Sequence, residues 1–329
     1  HDSKHHWHSC SDEGYEDKVF GKDFEEHTIT GGTPEVEPTY SQVGHTAGGK
    51  CSVCNAEIQS FEIPVLNETN YVKKVTKEFN ILTEMWVLKD PDIINRDEYV
   101  VTKAYHYGWI VIDDYSTGKM VTTDYNYYDF NQKFPGVEIS LDEKTRTTTI
   151  NVTKPGGYTF NNVAFVFPTS DTVEAGKFVF TGEPLTINAP EGLEDPALLF
   201  SCSDTVKYMS SVVINNDLTL NYSSKYTTES KGYGIKERTL TINSGAKLTI
   251  NGFANGIIAH YTPITVNGAL DINVKKLAIV SSSTSKNRTI KFPATSTFYF
   301  DGVAQESATS TDTNAIKNQS VKHFEVIPA

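Results

Sequence analysis

Apolar and polar positions alternate with a period of two in short runs that keep returning between about residues 147 and 273. The runs read Thr-Thr-Ile-Asn at 148–151, Leu-Thr-Ile-Asn at 185–188, Val-Val-Ile-Asn at 212–215, Leu-Thr-Ile-Asn at 240–243 and 248–251, and Ile-Thr-Val-Asn at 264–267. Successive side chains of a strand point to opposite faces, so each run predicts a half-buried strand that an Asn ends at a turn. Counting from Asn162 through Asn188, Asn215, Asn243 and Asn267, the returns are 26, 27, 28 and 24 residues apart, which is a repeat length of stacked architectures. The pairs Asn215/Asn221, Asn243/Asn251 and Asn267/Asn273 add a second strand to a single step. Two or three strands per turn at a steady turn length predict an all-β chain built on a right-handed parallel β-helix.

Physical chemistry favours the same residues. One turn cannot bury its inward Ile, Val and Leu alone; stacked at roughly 4.8 Å, successive turns join them into one apolar column. Asn suits the corners because it tolerates left-handed backbone angles and its amide can bond the same Asn in the next turn. Asn-Gly at 251–252 and 267–268 is also a hairpin signal, so a sandwich or meander is the competing topology, and the steady return distance argues for the β-helix.

The texture changes along the chain. Residues 1–60 hold six of the nine His and three of the four Cys and read as a Cys/His module. Residues 61–106 carry strand-like runs at 85–88 and 98–101 and read as a β-rich cap, which would shield a solenoid end from edge pairing. The β-helix is expected over 107–329, with Trp109–Asp113 its first strand, a loop at 309–318 and a last strand at 321–327. The chain opens on His1-Asp2-Ser3-Lys4 with no apolar leader, as a mature or trimmed fragment would. Its longest uncharged stretch, 252–270, is too polar for a membrane span. With 29 basic against 41 acidic residues the net charge is −12, which disfavours nucleic acid, whose affinity rests on neutralised phosphates. Calcium or neutral sugars remain compatible.

Cys51-Ser52-Val53-Cys54 followed by Asn55 places two thiolates three residues apart on a turn, where both can face one metal. Cys10 and His27 would complete a tetrahedral zinc site, with His6 or His8 as substitutes for His27. A Cys51–Cys54 disulfide or free thiols is the alternative for an exported chain. Cys202 sits in an apolar run and reads as a small buried hydrophobe.

His6-Trp7-His8-Ser9-Cys10, Glu26-His27-Thr28 and Gly49-Lys50-Cys51-Ser52-Val53-Cys54 together resemble the Cys/His repeats of secreted and surface-attached proteins of gut Firmicutes. The stretch from Ile63-Pro64 to Tyr107 resembles a following repeat without its cysteines. After Cys10 this chain has Ser-Asp-Glu where the repeats carry a second Cys. The remaining two thirds resemble pectin-lyase-like β-helices. The resemblance implies a modular bacterial protein, secreted or attached to the cell surface.

Catalysis by a β-helix needs grouped carboxylates, often with calcium, and a basic residue. Asp113, Asp114, Asp124 and Asp129, or Asn215-Asn216-Asp217 with Lys236 and Arg238, are the candidates for a polysaccharide lyase or glycoside hydrolase. No zinc-protease, nucleophile-elbow or phosphate-loop motif is present. The other class is non-catalytic: adhesion or binding of a polysaccharide or cell-surface glycan, for which Tyr222, Tyr226 and Tyr233 offer rings with a hydroxyl and Tyr125, Tyr127 and Tyr128 form a second cluster. A purely structural stalk is the third possibility.

Overall fold

The computed structural model describes residues 5–8, 22–78, 81–105, 108–167, 176–190, 193, 196–200, 211–222, 232–237, 239–259, 264–281, 289–291, 293, 295–305, 311–312 and 321–328. Backbone contacts divide the chain into two compact units, one of residues 1–78 and 82–104 and one of 79–81 and 105–329.

The larger unit consists of three long sheets, of seven, eight and eight strands. Starting at Thr147–Val152, the chain visits the sheets in rotation. Thr147–Val152 lies in the second sheet, Tyr158–Asn161 in the third and Val163–Phe167 in the first; the next circuit repeats the order with Lys177–Gly182, Leu185–Ala189 and Pro196–Phe200. Each strand pairs in parallel with its counterpart one circuit later, without a register shift: Ile150 meets Phe180, Phe160 meets Ile187 and Phe165 meets Leu198. The rotation continues through Ser211–Ile214, Leu218–Tyr222 and Tyr233–Glu237, then Thr239–Ile242, Lys247–Asn251 and Asn255–Ala259, then Ile264–Val266, Ala269–Asn273 and Leu277–Ser281.

Period-two alternation sets the core. Along Leu218–Tyr222, residues 218, 220 and 222 are buried while Thr219 and Asn221 are half-buried on the other face. Phe180, Ile214 and Ile242 continue the inward file of the second sheet. One apolar cluster runs from Ile110 to Val326. Where the third sheet hands over to the first, space is tight: a Cβ on Gly256 would stand 2.3 Å from the carbonyl oxygen of Ala278 and 2.5 Å from Ile272 Cγ2.

Antiparallel strands close both ends of the stack. Trp109–Asp114 runs antiparallel to Val163–Phe167 and to Val121–Asn126, so it belongs to the closure, and parallel stacking begins only at Thr147. Tyr127–Lys133 is a short α-helix. Asn126 caps it by accepting from the Asp129 amide at 2.7 Å, and Asp129 and Lys133 sit at the ends where their charges oppose the helix dipole. Phe130 on this helix is fully buried, with its ring 4.9 Å from that of Phe134 and 6.2 Å from that of Phe160. At the other end, His323–Ile327 pairs antiparallel with both Ala269–Asn273 and Thr297–Phe300; the strand expected at 321–327 is present.

The smaller unit is also β-structured. Tyr71–Glu78, Ile81–Leu88 and Val100–Tyr105 form one sheet, over a core of Ile63, Leu66, Tyr71, Trp86, Leu88, Ile94, Tyr99 and Val101. Ile29–Thr33, Gly48–Cys51 and Glu57–Ile58 form another. No helix among the described residues is long and apolar enough to cross a membrane.

Candidate functional site

Gly48–Cys51 and Glu57–Ile58 are the arms of an antiparallel hairpin, and Cys51, Cys54 and Asn55 occupy its tip. The Cys51 amide donates to the Ala56 carbonyl at 2.9 Å and the Asn55 amide to the Cys51 carbonyl at 3.0 Å. Asn55 takes the left-handed angle φ 58° that reverses the chain, a conformation Asn accepts more readily than most residues. Ile29 lies opposite Cys51 on the neighbouring strand, and the Ser52 amide donates to the Thr28 carbonyl at 2.9 Å. That pairing delivers His27 to the hairpin tip.

The resulting group is compact. The ligand atoms of His27, Cys51 and Cys54 all lie within 4.8 Å of one another, and His27 Nδ1 is 3.5 Å from Cys54 Sγ. A nitrogen at ~2.0 Å and a sulfur at ~2.3 Å from one tetrahedral ion stand about 3.5 Å apart, so the spacing fits a shared metal. Cys51 is buried. Its thiol is held down at about 6, first by the backbone N–H of Cys54, against a smaller upward push from burial, with help from the N–H of Val53 and the side chains of His27 and Cys54. Amide donors aimed at a sulfur stabilise its thiolate, the form that binds metal. Among the described residues this is the one group of three or more His, Cys, Asp or Glu that could hold a metal ion. Cys10, the expected fourth ligand, lies outside the described residues, as do Cys202, Tyr226 and Arg238.

The carboxylates considered for catalysis fall in two places, the closing hairpin with the helix that follows it and the connection at 215–217. Asp113 accepts from Thr122 at 2.6 Å and Asp114 from the Ser116 amide at 2.8 Å, both at the hairpin of the closing sheet. Asp124 is exposed on that hairpin, and Asp129 serves the helix cap. Asn216 is buried and donates to the carbonyls of Thr181 and Glu183, at 3.3 and 2.7 Å. Asn215 accepts from Asn243 at 2.6 Å. Asp217 is exposed beside the third sheet, while Lys236 belongs to the first.

The tyrosines divide likewise. Tyr222 alternates with Leu218 and Leu220 and therefore points into the core, its ring 5.4 Å from that of Phe253. Tyr233 is half-buried in the first sheet. Tyr127 is buried with its hydroxyl 3.3 Å from Thr148 Oγ1, Tyr125 packs on Phe130 and Phe134, and Tyr128 is partly exposed.

Outward on the third sheet stand two columns, the stacked Asn expected at the corners and, beside it, a file of Thr that the sequence reading did not single out. Asn161, Asn188, Asn221, Asn251 and Asn273 share one register position, and Thr159, Thr186, Thr219 and Thr249 share the position two residues before. Each amide from Asn188 to Asn251 donates to the Oδ1 of the preceding Asn, at 2.7, 3.0 and 3.1 Å. The recurring Thr-x-Asn tripeptide was the available signal. In comparisons with protein families, characterised proteins and solved structures, nothing matches this chain.

Proposed function

We propose that this chain is a non-catalytic, exported, surface-associated bacterial protein in which a right-handed parallel β-helix mediates adhesion or polysaccharide binding and the hairpin at Cys51–Cys54 holds a structural zinc. The observation that carries the binding reading is the pair of Thr and Asn columns on the third sheet, a long ordered face of hydrogen-bonding groups. The non-catalytic part is supported by the use of Asp113, Asp114, Asp129 and Asn216 in local turns, caps and carbonyl contacts. Rotation of the chain through three sheets with parallel pairing in register supports the β-helix. Fold alone does not give activity, so the site carries the argument.

The test pairs a glycan array and polysaccharide pull-down with assays for reducing ends and unsaturated products on the same substrates, with and without calcium. Binding without turnover is expected. Calcium-dependent product would replace this reading by a lyase or hydrolase, and silence in every assay by a stalk. Metal analysis is expected to give about one zinc per chain; a metal-free protein with a Cys51–Cys54 disulfide by mass spectrometry would remove the zinc.

A further inference from the structure

We propose that the outward face of the third sheet grips a neutral polysaccharide, its Thr hydroxyls and Asn amides bonding the sugar hydroxyls. This rests on the polysaccharide-binding reading and adds to it the face and the class of ligand.

Three properties of the face point to that occupant. The first is chemistry. A ladder amide spends one N–H and one lone pair on its neighbours and keeps a second N–H and a second lone pair. A Thr hydroxyl two residues away both donates and accepts. Such pairs match a polymer whose groups are themselves donor and acceptor at once, as sugar hydroxyls are.

The second is order. The ladder bonds at Asn188, Asn221 and Asn251 already fix those side chains, and β-branched Thr is stiff at χ1. Binding therefore immobilises few rotamers, a cost that otherwise runs to about 0.5–1.5 kcal/mol per side chain. Neighbouring rows are roughly 4.8 Å apart, and the two columns about 6.7 Å apart along each strand, spacings of the order of a pyranose ring.

The third is charge. Four successive rows of the two columns carry no ionisable side chain, in a protein of net charge −12. Within the columns the first charge is Asp271, which lies 3.2 Å from His323 Nε2 and 3.5 Å from Lys247 Nζ, and beside them on the same face stand Asp217, two residues before Thr219, and Lys247, two before Thr249. A neutral chain meets no repulsion there, whereas an acidic one approaches a protein of its own sign. The second sheet lacks the paired array: the register position of Thr149 is taken by Val179 and Val213 in the next two circuits.

The experiment compares wild type, T219K/T249K on the third sheet and V213K/T241K on the second, all outward positions, against neutral glucans, xylans and mannans and against polygalacturonate. Affinity for a neutral polymer is expected to fall about tenfold or more in T219K/T249K and to stay within about twofold in V213K/T241K, with melting temperatures of both variants near wild type. Undiminished binding by T219K/T249K would overturn this assignment while leaving polysaccharide binding in place. Preference for polygalacturonate would overturn it through the ligand class. Wild type that binds none of the polymers would overturn both readings. Self-association or slowed ice growth abolished by T219K/T249K, in place of glycan binding, would hand the face to a second copy or to ordered water. If T219K/T249K melts early, T219S/T249S, which keeps the hydroxyls, is expected to retain binding, and N221L to weaken it; the opposite pattern would also overturn the assignment.

Discussion

Glu84 stands on the core-facing side of its strand, where Leu82, Trp86 and Leu88 are its inward companions. Its carboxylate lies 2.9 Å from Lys73 Nζ and accepts from the Trp86 indole at 3.3 Å and from the Tyr40 hydroxyl. A buried charge is tolerated because every side of it is bonded, and removing one partner exposes the desolvation cost. Lys73→Met is expected to cost about 3–5 kcal/mol in chemical denaturation, and Lys73→Met with Glu84→Leu considerably less, since no charge is then stranded. Cys51 gives the second residue-scale prediction. Its folded thiol titrates near 6 against an ordinary 9.0, so in the metal-free protein its contribution to stability is complete above pH 9 and disappears as the pH falls to about 6. Thiolate absorbance of the metal-free protein should show a midpoint near pH 6; only midpoints near 9 would contradict the amide-to-sulfur bonds. The Cys-x-x-Cys-Asn string made the thiol half of this site legible because that geometry is local, whereas His27 arrives by pairing of a separate strand. Glu84 was invisible in the sequence, since Lys73 and Tyr40 reach it from separate stretches of chain and only Trp86 shares its strand.

At the scale of the element, strand positions were easy to read and their grouping was not. Two strands of one circuit often both end in Asn, and the series Asn162, Asn188, Asn215, Asn243, Asn267 crosses between two corners. Hydrogen bonds separate them: Asn161, Asn188, Asn221 and Asn251 are joined in one ladder, and Asn215 and Asn243 in another. Asn162 instead takes a left-handed turn at φ 58°. Asn221 holds two rungs, so Asn221→Ala is expected to cost about 1–3 kcal/mol, measurable by thermal melting. Tyr222 shows the complementary failure. Aromatic clustering suggested a surface role, yet its place in the alternation turns the ring inward. Gly256→Ala should cost a further 1–3 kcal/mol, on the order of other overpacked sites, because the backbone carbonyl of Ala278 cannot yield as a flexible side chain would.

For the whole molecule, the all-β class followed from composition and alternation, while the antiparallel closures did not: nothing local distinguishes Trp109–Asp114, antiparallel to its neighbours, from a strand of the stack. The closures matter because an uncovered sheet end is a template for another chain. Removing residues 292–329 takes away the strand that covers Ala269–Asn273. Concentration-dependent association in light scattering is expected of that truncation, and a monodisperse monomer would show that the edge is otherwise protected.

The circuits differ in length although their strands stay in register. Successive members of the Asn ladder are 27, 33 and 30 residues apart, and the surplus lies in the connections. From the second sheet to the third the chain needs only a few residues, as between Gly182 and Leu185 or Ile214 and Leu218. From the third to the first, three residues intervene after Asn251 but ten after Tyr222. From the first sheet to the second the range is as wide, one residue between Glu237 and Thr239 but ten between Phe200 and Ser211. New peptide can thus enter at either of these two corners while the strands stay in register, which makes them the places for an engineer to splice in a foreign epitope.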